Sequence, residues 1–371
     1  MRELVAVALT GPEFVAALRR AWDSGDAVLP LDPRLPPAAV KATIDALAPS
    51  RLVDARGETS KLAGGHTVED GDALVVLTSG STGVPKGVVH THDSVKASAL
   101  ATSGALGVDP VSDRWLCCLP VSHIAGLSVI TRALTLGVGL EVHHGFDADA
   151  VVDAARRGAT LTTVVPTALA RFEPALFRAI VVGGSAPPAV IPPNCRISYG
   201  LTETGSAVAY DGYALAGVEL RSLDGELLVR GPMLLRGYRD GTTPVDAEGW
   251  LHTDDAGVVH PDGRLEVHGR RGDLIITGGE NVWPTPIERL LHDLASVAEV
   301  AIVGRPDDQW GQVVTAVIVP TDPDTPPTLD ELKALLRETL PAYCAPRRLE
   351  LVDSLPRTLI GKVARRSLDG G

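Results

Sequence analysis

The first half of the chain alternates helix-like and strand-like segments, and this alternation constrains the fold more than any other feature. Residues 12–25 and 37–47 have the spacing of amphipathic helices, and short apolar runs at 27–31, 73–77 and 160–165 are typical of buried strands. Strands that alternate with helices form parallel sheets wrapped by helices. Ligands bind such sheets at the carboxyl ends of the strands. The pattern therefore predicts an α/β domain with its site at that edge.

The second half of the chain has a different pattern. From about residue 217 short strands and turns predict a small antiparallel or barrel-like subdomain. A compact α+β tail follows, in which the pairs Thr285/Glu288 and Thr328/Glu331 have capping-box spacing and predict two helix starts. Glycines flank charged residues at 270–273, so we place the domain boundary there. The predicted domains are residues 1–269 and 274–371.

A loop rich in glycine and hydroxyl residues, TSGSTGVPKG at 78–87, directly follows the apolar run 73–77. It is not the P-loop G-x-x-x-x-G-K-[ST], because Lys86 follows Pro85 and an extended-looking segment comes next. Glycines allow backbone N–H groups to converge on a phosphate, and hydroxyls and a lysine add donors. The candidate phosphate ligands are Thr78, Ser79, Gly80, Ser81, Thr82, Gly83 and Lys86. A flexible turn between two strands is the alternative.

Charge and composition exclude several classes of protein. The net charge of −12 and a pI near 5.3 argue against a nucleic-acid surface. No apolar run is long enough to predict a membrane span, and the first residues lack the features of a signal peptide. The four cysteines lack C-x-x-C spacing and the histidines lack zinc spacing, so we expect neither a disulfide framework nor a zinc site, and a cytoplasmic location fits.

Lysine is used sparingly in this chain. Only six of the 34 basic residues are lysines, and two of these, Lys86 and Lys362, lie in loops beside glycine. Lysine supplies a compact, mobile charge that arginine does not. The usage hints that both lysines act on a ligand.

Eight stretches occur in the order found in the adenylate-forming acyl-CoA synthetases, and the chain resembles that superfamily over about residues 24–368. They are LTSGSTGVPKG, LPVSHIAGL, VVGGSAPP, YGLTETG, LLVRGPMLLRGY, GWLHTDDAG, GRRGDLIITGGENVWPTPIE and PRTLIGKVARR. The superfamily also contains nonribosomal-peptide adenylation domains and beetle luciferases. Within it, the segment 269–284 and the short, N-terminally reduced length look most like the o-succinylbenzoate–CoA ligases of menaquinone biosynthesis.

The resemblance implies an AMP-forming acid–thiol ligase that uses ATP, Mg²⁺ and CoA. Such an enzyme joins a carboxylate to the α-phosphate of ATP, expels pyrophosphate, and then forms a thioester. Attack by an anion on a polyanion requires charge neutralisation more than acid–base catalysis. The loop at 78–86 would then hold the β- and γ-phosphates.

The resemblance also implies roles for the YGLTETG motif. Tyr199 would supply an aromatic face for the adenine, Thr202 would donate to the α-phosphate, and Glu203 would bind magnesium. Gly200 and Gly205 on either side indicate a close approach of the backbone to a ligand. The alternative for Glu203 is a solvated loop carboxylate.

Five further residues are implied to bind the nucleotide. Asp255 would accept hydrogen bonds from the ribose hydroxyls, and Arg270 would help clamp the ribose or phosphate. Gly183, Gly184 and Ser185 would form a floor beneath the acyl group and adenine. The family usually has glycine where this chain has Asp254, which adds a negative charge near the expected polyphosphate site.

The remaining implied roles concern the acid and the second step. His123 would line the acyl pocket, although a locally satisfied histidine at a helix start is the alternative, and Arg132 is a weaker candidate for a second carboxylate. Lys362 would bridge the acid and the adenylate during the first step. Residues 270–273 would be the hinge of a mobile C-terminal domain, with Gly272 at its pivot.

The leading function is therefore an acid–CoA ligase, with o-succinylbenzoate as the best-matching acid. Its partners are small molecules, without nucleic acid or membrane span, and a homodimer is left open. One alternative is a stand-alone adenylation enzyme that loads a carrier protein. The other is an inactive nucleotide-binding relative, against which stand the four residues Lys86, Glu203, Asp255 and Lys362.

Overall fold

The computed structural model describes residues 2–79, 85–184, 190–357 and 363–368. We number strands and helices along the chain. The helices are α1 (Gly11–Asp23), α2 (Pro37–Leu47), α3 (His92–Ala105), α4 (Ile124–Leu136), α5 (Ala148–Arg156), α6 (Pro166–Leu169), α7 (Pro284–His292), α8 (Leu329–Arg337) and α9 (Arg365–Leu368).

Two seven-stranded sheets form the N-terminal part. Sheet A contains β1 (Leu4–Val7), β2 (Ala27–Pro30), β3 (Arg51–Val53), β4 (Thr59–Lys61), β5 (Asp72–Ser79), β6 (Pro85–Thr91) and β16 (Gly237–Tyr238), in the order β16-β6-β5-β2-β1-β3-β4. Sheet B contains β7 (Arg114–Cys117), β8 (Gly139–Val142), β9 (Leu161–Val164), β10 (Ala179–Val182), β11 (Cys195–Leu201), β12 (Ser206–Tyr210) and β13 (Tyr213–Ala214), in the order β13-β12-β11-β10-β9-β7-β8. The central strands of both sheets run parallel, which confirms the predicted α/β class.

Two smaller sheets follow. Sheet C is antiparallel and contains β14 (Glu219–Leu223), β15 (Glu226–Arg230), β17 (Leu251–Val259) and β18 (Leu265–Arg270). Sheet D contains β19 (Ile275–Thr277), β20 (Glu280–Val282), β21 (Val297–Asp307), β22 (Gly311–Pro320) and β23 (Arg348–Leu351). The pattern after residue 217 thus corresponds to an antiparallel sheet, followed by a mixed sheet in which β22 and β23 pair in parallel.

The apolar side chains are buried in separate clusters. The largest cluster joins the two parallel sheets and includes Phe14, Val76, Trp115 and Leu127. Another consists only of residues between 275 and 349, and in it the helices α7 and α8 pack on sheet D. The small C-terminal part therefore has its own core, to which each fully buried aliphatic side chain contributes about 1.5–3 kcal/mol.

One of the two predicted capping boxes is present. Thr328 accepts from the Glu331 amide and the Glu331 carboxylate accepts from the Thr328 amide, so α8 begins as predicted. The prediction for Thr285 and Glu288 is wrong, because α7 begins at Pro284. The Glu288 side chain points instead to the Ile302 amide at 2.8 Å.

Candidate active site

The hairpin β5–β6 positions the first group of predicted residues. Its register sets Thr78 opposite Lys86 and Leu77 opposite Gly87. Gly87 is required by packing, because a Cβ there would lie 2.7 Å from Val75 Cγ1. The predictions for Gly80, Ser81, Thr82 and Gly83 lie outside the described residues, as does the side chain of Ser79.

A single helical turn after β11, Thr202–Thr204, carries the second group. Gly200 lies so close to β12 that a Cβ would be 2.2 Å from the Ser206 carbonyl oxygen, which explains the glycine in YGLTETG. Gly205 ends the turn at φ +66°, a conformation that glycine adopts without strain. The side chains of Thr202 and Glu203 are half-buried at the carboxyl end of β11.

Two contacts join this turn to the lysine-bearing hairpin. The Nε2 atom of His90, on β6, lies 2.7 Å from the Thr202 carbonyl oxygen. Tyr238 on β16 donates a hydrogen bond of 3.0 Å to Glu203 Oε1, and Lys86 Nζ lies 4.7 Å from the centroid of the same ring. Burial, and then the nearby Glu203 carboxylate, raise the pKa of Tyr238, so the hydroxyl stays a donor. Sequence reasoning missed Tyr238.

Tyr199, Asp255 and Arg270 form a third contact group. The Tyr199 hydroxyl donates to Asp255 Oδ2 at 2.8 Å, and Arg270 Nε lies 2.9 Å from Asp255 Oδ1. Burial, followed by the Asp255 charge, raises the pKa of Tyr199 well above its usual value. Arg270 also donates to the Thr253 carbonyl at 2.8 Å. A carboxylate has about four lone-pair sites and can accept several hydrogen bonds at once.

Asp254 adopts a backbone conformation that favours glycine. Its φ is +63°, in the left-handed region that aspartate tolerates better than most residues. Its amide donates to Glu226 Oε1 at 3.0 Å, and the residue is exposed whereas Asp255 is buried. The two aspartates thus differ in environment, and only Asp255 contacts Tyr199.

Gly183 and Gly184 directly follow β10, beside β11. A Cβ on Gly183 would lie 2.2 Å from Ser198 Oγ, and Gly184 has φ +85°. The close approach places this turn against Ser198, the residue before Tyr199. Ser185, the other predicted residue of this floor, lies outside the described residues.

His123 precedes the first residue of α4 and is half-buried. It borders a small pocket at the ends of β2 and β5. The pocket is lined by Pro30, Leu31, Asp32, Leu35, Leu77, Ser122 and His123. A hydrogen bond from Arg34 is the main cause that lowers the pKa of Asp32, and His123 adds a small effect in the same direction. The pocket reaches Leu77, next to the predicted phosphate loop.

Arg132 is almost fully buried inside the same domain, at 1% exposure. Nη1 lies 3.3 Å from Thr163 Oγ1, Nη2 contacts Ser206 Oγ, and the guanidinium lies 5.4 Å from the Trp115 ring. Nε has no hydrogen-bond partner among the described residues. The hydrogen-bond and ring contacts of this buried cation among the described residues are thus two hydroxyls and an indole ring, and none of the three is a carboxylate. The side chains of Tyr210 and Cys117 also interact electrostatically with it.

The turn Arg271–Asp273 connects sheet C to sheet D, and ion pairs lie on both sides of it. Arg271 contacts Glu226 at 3.0 Å, whereas Asp273 lies 3.5 Å from Arg365, which also pairs with Glu288 at 2.5 Å. Gly272 is exposed, and a Cβ added there would meet no atom of the described residues within 4 Å. Lys362 lies outside the described residues, three positions before Arg365.

The described residues contain no cluster of three or more His, Cys, Asp or Glu side chains placed to hold a metal ion. Magnesium commonly needs only one or two carboxylates besides substrate phosphates, and the half-buried carboxylate of Glu203 fits that donor set. No helix within the described ranges is both long and apolar enough to cross a bilayer.

Comparison with known proteins gives consistent matches. The model of the AMP-binding enzyme family matches residues 65–239, and that of the AMP-binding enzyme C-terminal domain matches residues 286–362. A probable 2-succinylbenzoate–CoA ligase of Mycobacterium tuberculosis is 39% identical over 330 residues, covering 82% of this chain and 85% of that protein.

Solved structures agree with this match. An o-succinylbenzoate CoA synthetase from Bacillus subtilis, in complex with its acyl-adenylate intermediate, superimposes with a TM-score of 0.87 at 27% identity, covering 100% of this chain and 88% of that one. The same enzyme with ATP and a magnesium ion gives a TM-score of 0.87, with 99% of this chain and 89% of that one covered.

Proposed function

Because this chain belongs to the AMP-binding enzyme family, we propose that it is an ATP-dependent acid–CoA ligase and that its acid is o-succinylbenzoate. It would join the acid to AMP, release pyrophosphate, and transfer the acyl group to CoA. Relatives with this activity in their names match most of the chain, and the contact groups described above supply the polar groups that the first step needs.

The nucleotide would lie along β11 and the turn that follows it. Tyr199 and Asp255 mark the nucleoside end, since Asp255 can accept ribose hydroxyls while Arg270 and Tyr199 hold its carboxylate in place. Thr202 and Lys86 mark the phosphate end. These assignments follow the strand direction, because ligands of parallel sheets bind at the carboxyl ends of the strands.

Charge neutralisation would be the main catalytic effect at the phosphate end. Magnesium, when bound, supplies positive charge to phosphate oxygens, and Glu203 would hold it. Lys86, whose Nζ lies over the ring of Tyr238, adds a mobile cation. We further propose that Lys362 supplies the cation that bridges the acid carboxylate and the adenylate.

The buried guanidinium of Arg132 is the observation that carries the choice of acid. Burying a cation without an anionic partner is costly, and hydroxyl contacts to Thr163 and Ser206 offset only part of that cost. A carboxylate ligand would pair with it, since arginine binds carboxylates through two parallel hydrogen bonds. o-Succinylbenzoate has two carboxylates. We infer that the succinyl carboxylate reacts and the aromatic carboxylate meets Arg132.

The two steps would be separated by rotation of residues 274–371 about the segment 270–273. Ion pairs anchor Arg271 to sheet C and Asp273 to the C-terminal part. Gly272 lies between these two ion pairs, and a Cβ added there would meet none of the described atoms within 4 Å. Glycine takes up a large change of φ and ψ at little steric cost, and few loop residues need to change in such closure motions.

The experiment is an assay of the purified full-length chain with ATP, Mg²⁺, CoA and a panel of acids, in which AMP and thioester are both measured. The proposal expects thioester from o-succinylbenzoate at a kcat/KM far above that for benzoate, malonate or fatty acids. AMP release that needs a carrier protein instead of CoA would favour the adenylation-enzyme alternative. Absence of both products with every acid would refute the proposed activity.

A further inference from the structure

Tyr238 lies between two residues that act on the same polyphosphate in the proposed function. Its hydroxyl donates to Glu203 Oε1 at 3.0 Å, and its ring lies beneath Lys86 Nζ at 4.7 Å from the centroid. Glu203 and Tyr238 are 35 residues apart in sequence, and Lys86 is far from both. The tyrosine is therefore the side chain through which the carboxylate and the lysine are connected.

The backbone around Tyr238 is tied to both elements. The strand β16 pairs with β6, with Gly237 opposite Val89 and Tyr238 opposite Val88, so it runs beside the strand that carries Lys86. The Leu235 amide donates to the Glu203 carbonyl oxygen at 2.8 Å. The segment that ends in Tyr238 thus holds the turn of Glu203 and the strand of Lys86 at fixed positions.

We propose that Tyr238 is a positioning residue that orients Glu203 towards magnesium and Lys86 towards the phosphates. A hydrogen bond to one carboxylate oxygen fixes the rotation of the carboxylate and leaves the other oxygen to bind a hard cation. An aromatic face attracts an ammonium group and restricts where it lies. The inference rests on the proposed function, because the two residues share a task only if the ligand is a magnesium–nucleotide complex.

The chain offers variants that separate the two contacts. Tyr238→Phe removes the hydroxyl and keeps the ring, whereas Tyr238→Leu removes both. Tyr213→Phe is a matched control, since Tyr213 is 51% exposed on β13. Circular dichroism and thermal unfolding would show that each variant is folded.

The test measures binding of ATP to the full chain without any acid, by calorimetry, as magnesium is varied. Loss of a residue that orients a metal ligand commonly weakens metal binding about 10- to 100-fold, so Tyr238→Phe should raise the half-saturating magnesium concentration at least about tenfold. Tyr213→Phe should leave it unchanged. At saturating magnesium, Tyr238→Leu should bind ATP more weakly than Tyr238→Phe, because Lys86 has lost its support.

A double-mutant cycle shows whether Tyr238 acts through Glu203. In the Glu203→Gln background, Tyr238→Phe should cause no further change in magnesium dependence. An equal shift in both backgrounds, or an unchanged magnesium dependence in Tyr238→Phe itself, would overturn the proposal for Glu203. Equal ATP affinity of Tyr238→Leu and Tyr238→Phe would overturn the part that concerns Lys86.

The outcome is independent of the acid. A magnesium shift in Tyr238→Phe together with no thioester from o-succinylbenzoate would support the role of Tyr238 and refute only the proposed substrate. Unchanged magnesium dependence in an enzyme that is active on o-succinylbenzoate would refute only the role of Tyr238.

Discussion

His90 Nε2 lies 2.7 Å from the Thr202 carbonyl oxygen, and this contact joins the strand of Lys86 to the turn of Glu203. A carbonyl oxygen only accepts hydrogen bonds, so Nε2 carries the hydrogen, while Nδ1 lies 3.3 Å from Ser94 Oγ. His90 is completely buried, and burial lowers its pKa from an ordinary value of 6.5 to about 4. The neutral ring is therefore part of the folded site.

The burial of His90 predicts acid sensitivity between pH 6.5 and 4. Below pH 6.5 the unfolded chain binds a proton at His90, but the folded chain does not until about pH 4. The free energy of unfolding therefore falls as pH drops through this window, by about 3 kcal/mol in total from this residue. Urea unfolding at pH 7 and pH 5 should show that wild type loses stability relative to His90→Gln, which lacks the titrating group. The exposed control His292→Gln should follow wild type. Parallel losses in His90→Gln and wild type would contradict this role.

Glu203→Gln should make adenylation require more magnesium. A neutral amide is a poorer ligand for a hard cation than a carboxylate, so the half-saturating magnesium concentration should rise while adenylation at very high magnesium is partly recovered. Adenylate formation against magnesium concentration measures the effect, with Glu248→Gln, an exposed carboxylate on a turn, as the control. An unshifted curve would remove Glu203 from the metal site.

Lys362→Ala should impair only the first half-reaction. Loss of one preorganised group that stabilises developing charge typically costs ~3–4 kcal/mol, or ~10²–10³ in rate. Adenylate formation should fall by about that factor, whereas conversion of supplied acyl-adenylate to thioester should continue. Lys61→Ala, on the exposed strand β4, should affect neither step. Equal loss of both half-reactions in Lys362→Ala would argue against the assignment.

Gly272→Pro should slow the second half-reaction and spare the first, which is the reverse of the effect expected for Lys362→Ala. Proline fixes φ near −65°, so the segment between the Arg271 and Asp273 ion pairs can no longer change conformation freely. On the proposal that proline holds the adenylating conformation, we expect pyrophosphate exchange into ATP to persist and thioester formation to become slow. Gly272→Ala is the matched control: an added Cβ meets none of the described atoms within 4 Å, so both steps should be normal. A parallel loss of both steps in a destabilised Gly272→Pro protein would refute the hinge role.

Local sequence patterns predicted the helices and strands well. They failed where contacts between residues far apart in sequence determine the conformation of a side chain. Alternation identified the parallel sheets, and Thr328 caps its helix as its spacing predicts. Thr285 and Glu288 have the same spacing, but Glu288 is drawn to the Ile302 amide and Arg365, contacts that no local pattern contains.

The same limit applies to the site. The motif residues were recognisable because their types and order resemble a known family. Tyr238 was missed because its contacts with Glu203 and Lys86 arise only when β16 pairs with β6 at the sheet edge. The contacts of Arg132 could not be predicted from the sequence either, because Arg132 lies on α4 whereas Thr163 and Ser206 lie on β9 and β12.

The most direct test of the account compares o-succinylbenzoate with its analogue that lacks the aromatic carboxylate, in wild type and in Arg132→Met. In wild type the analogue offers no carboxylate to Arg132, so kcat/KM for thioester formation should be about 10³-fold lower than with o-succinylbenzoate. That factor corresponds to a loss of several kcal/mol of transition-state binding. In Arg132→Met the preference should largely disappear, mainly because o-succinylbenzoate itself becomes a poor substrate. Equal kcat/KM values for the two acids in wild type would contradict the account.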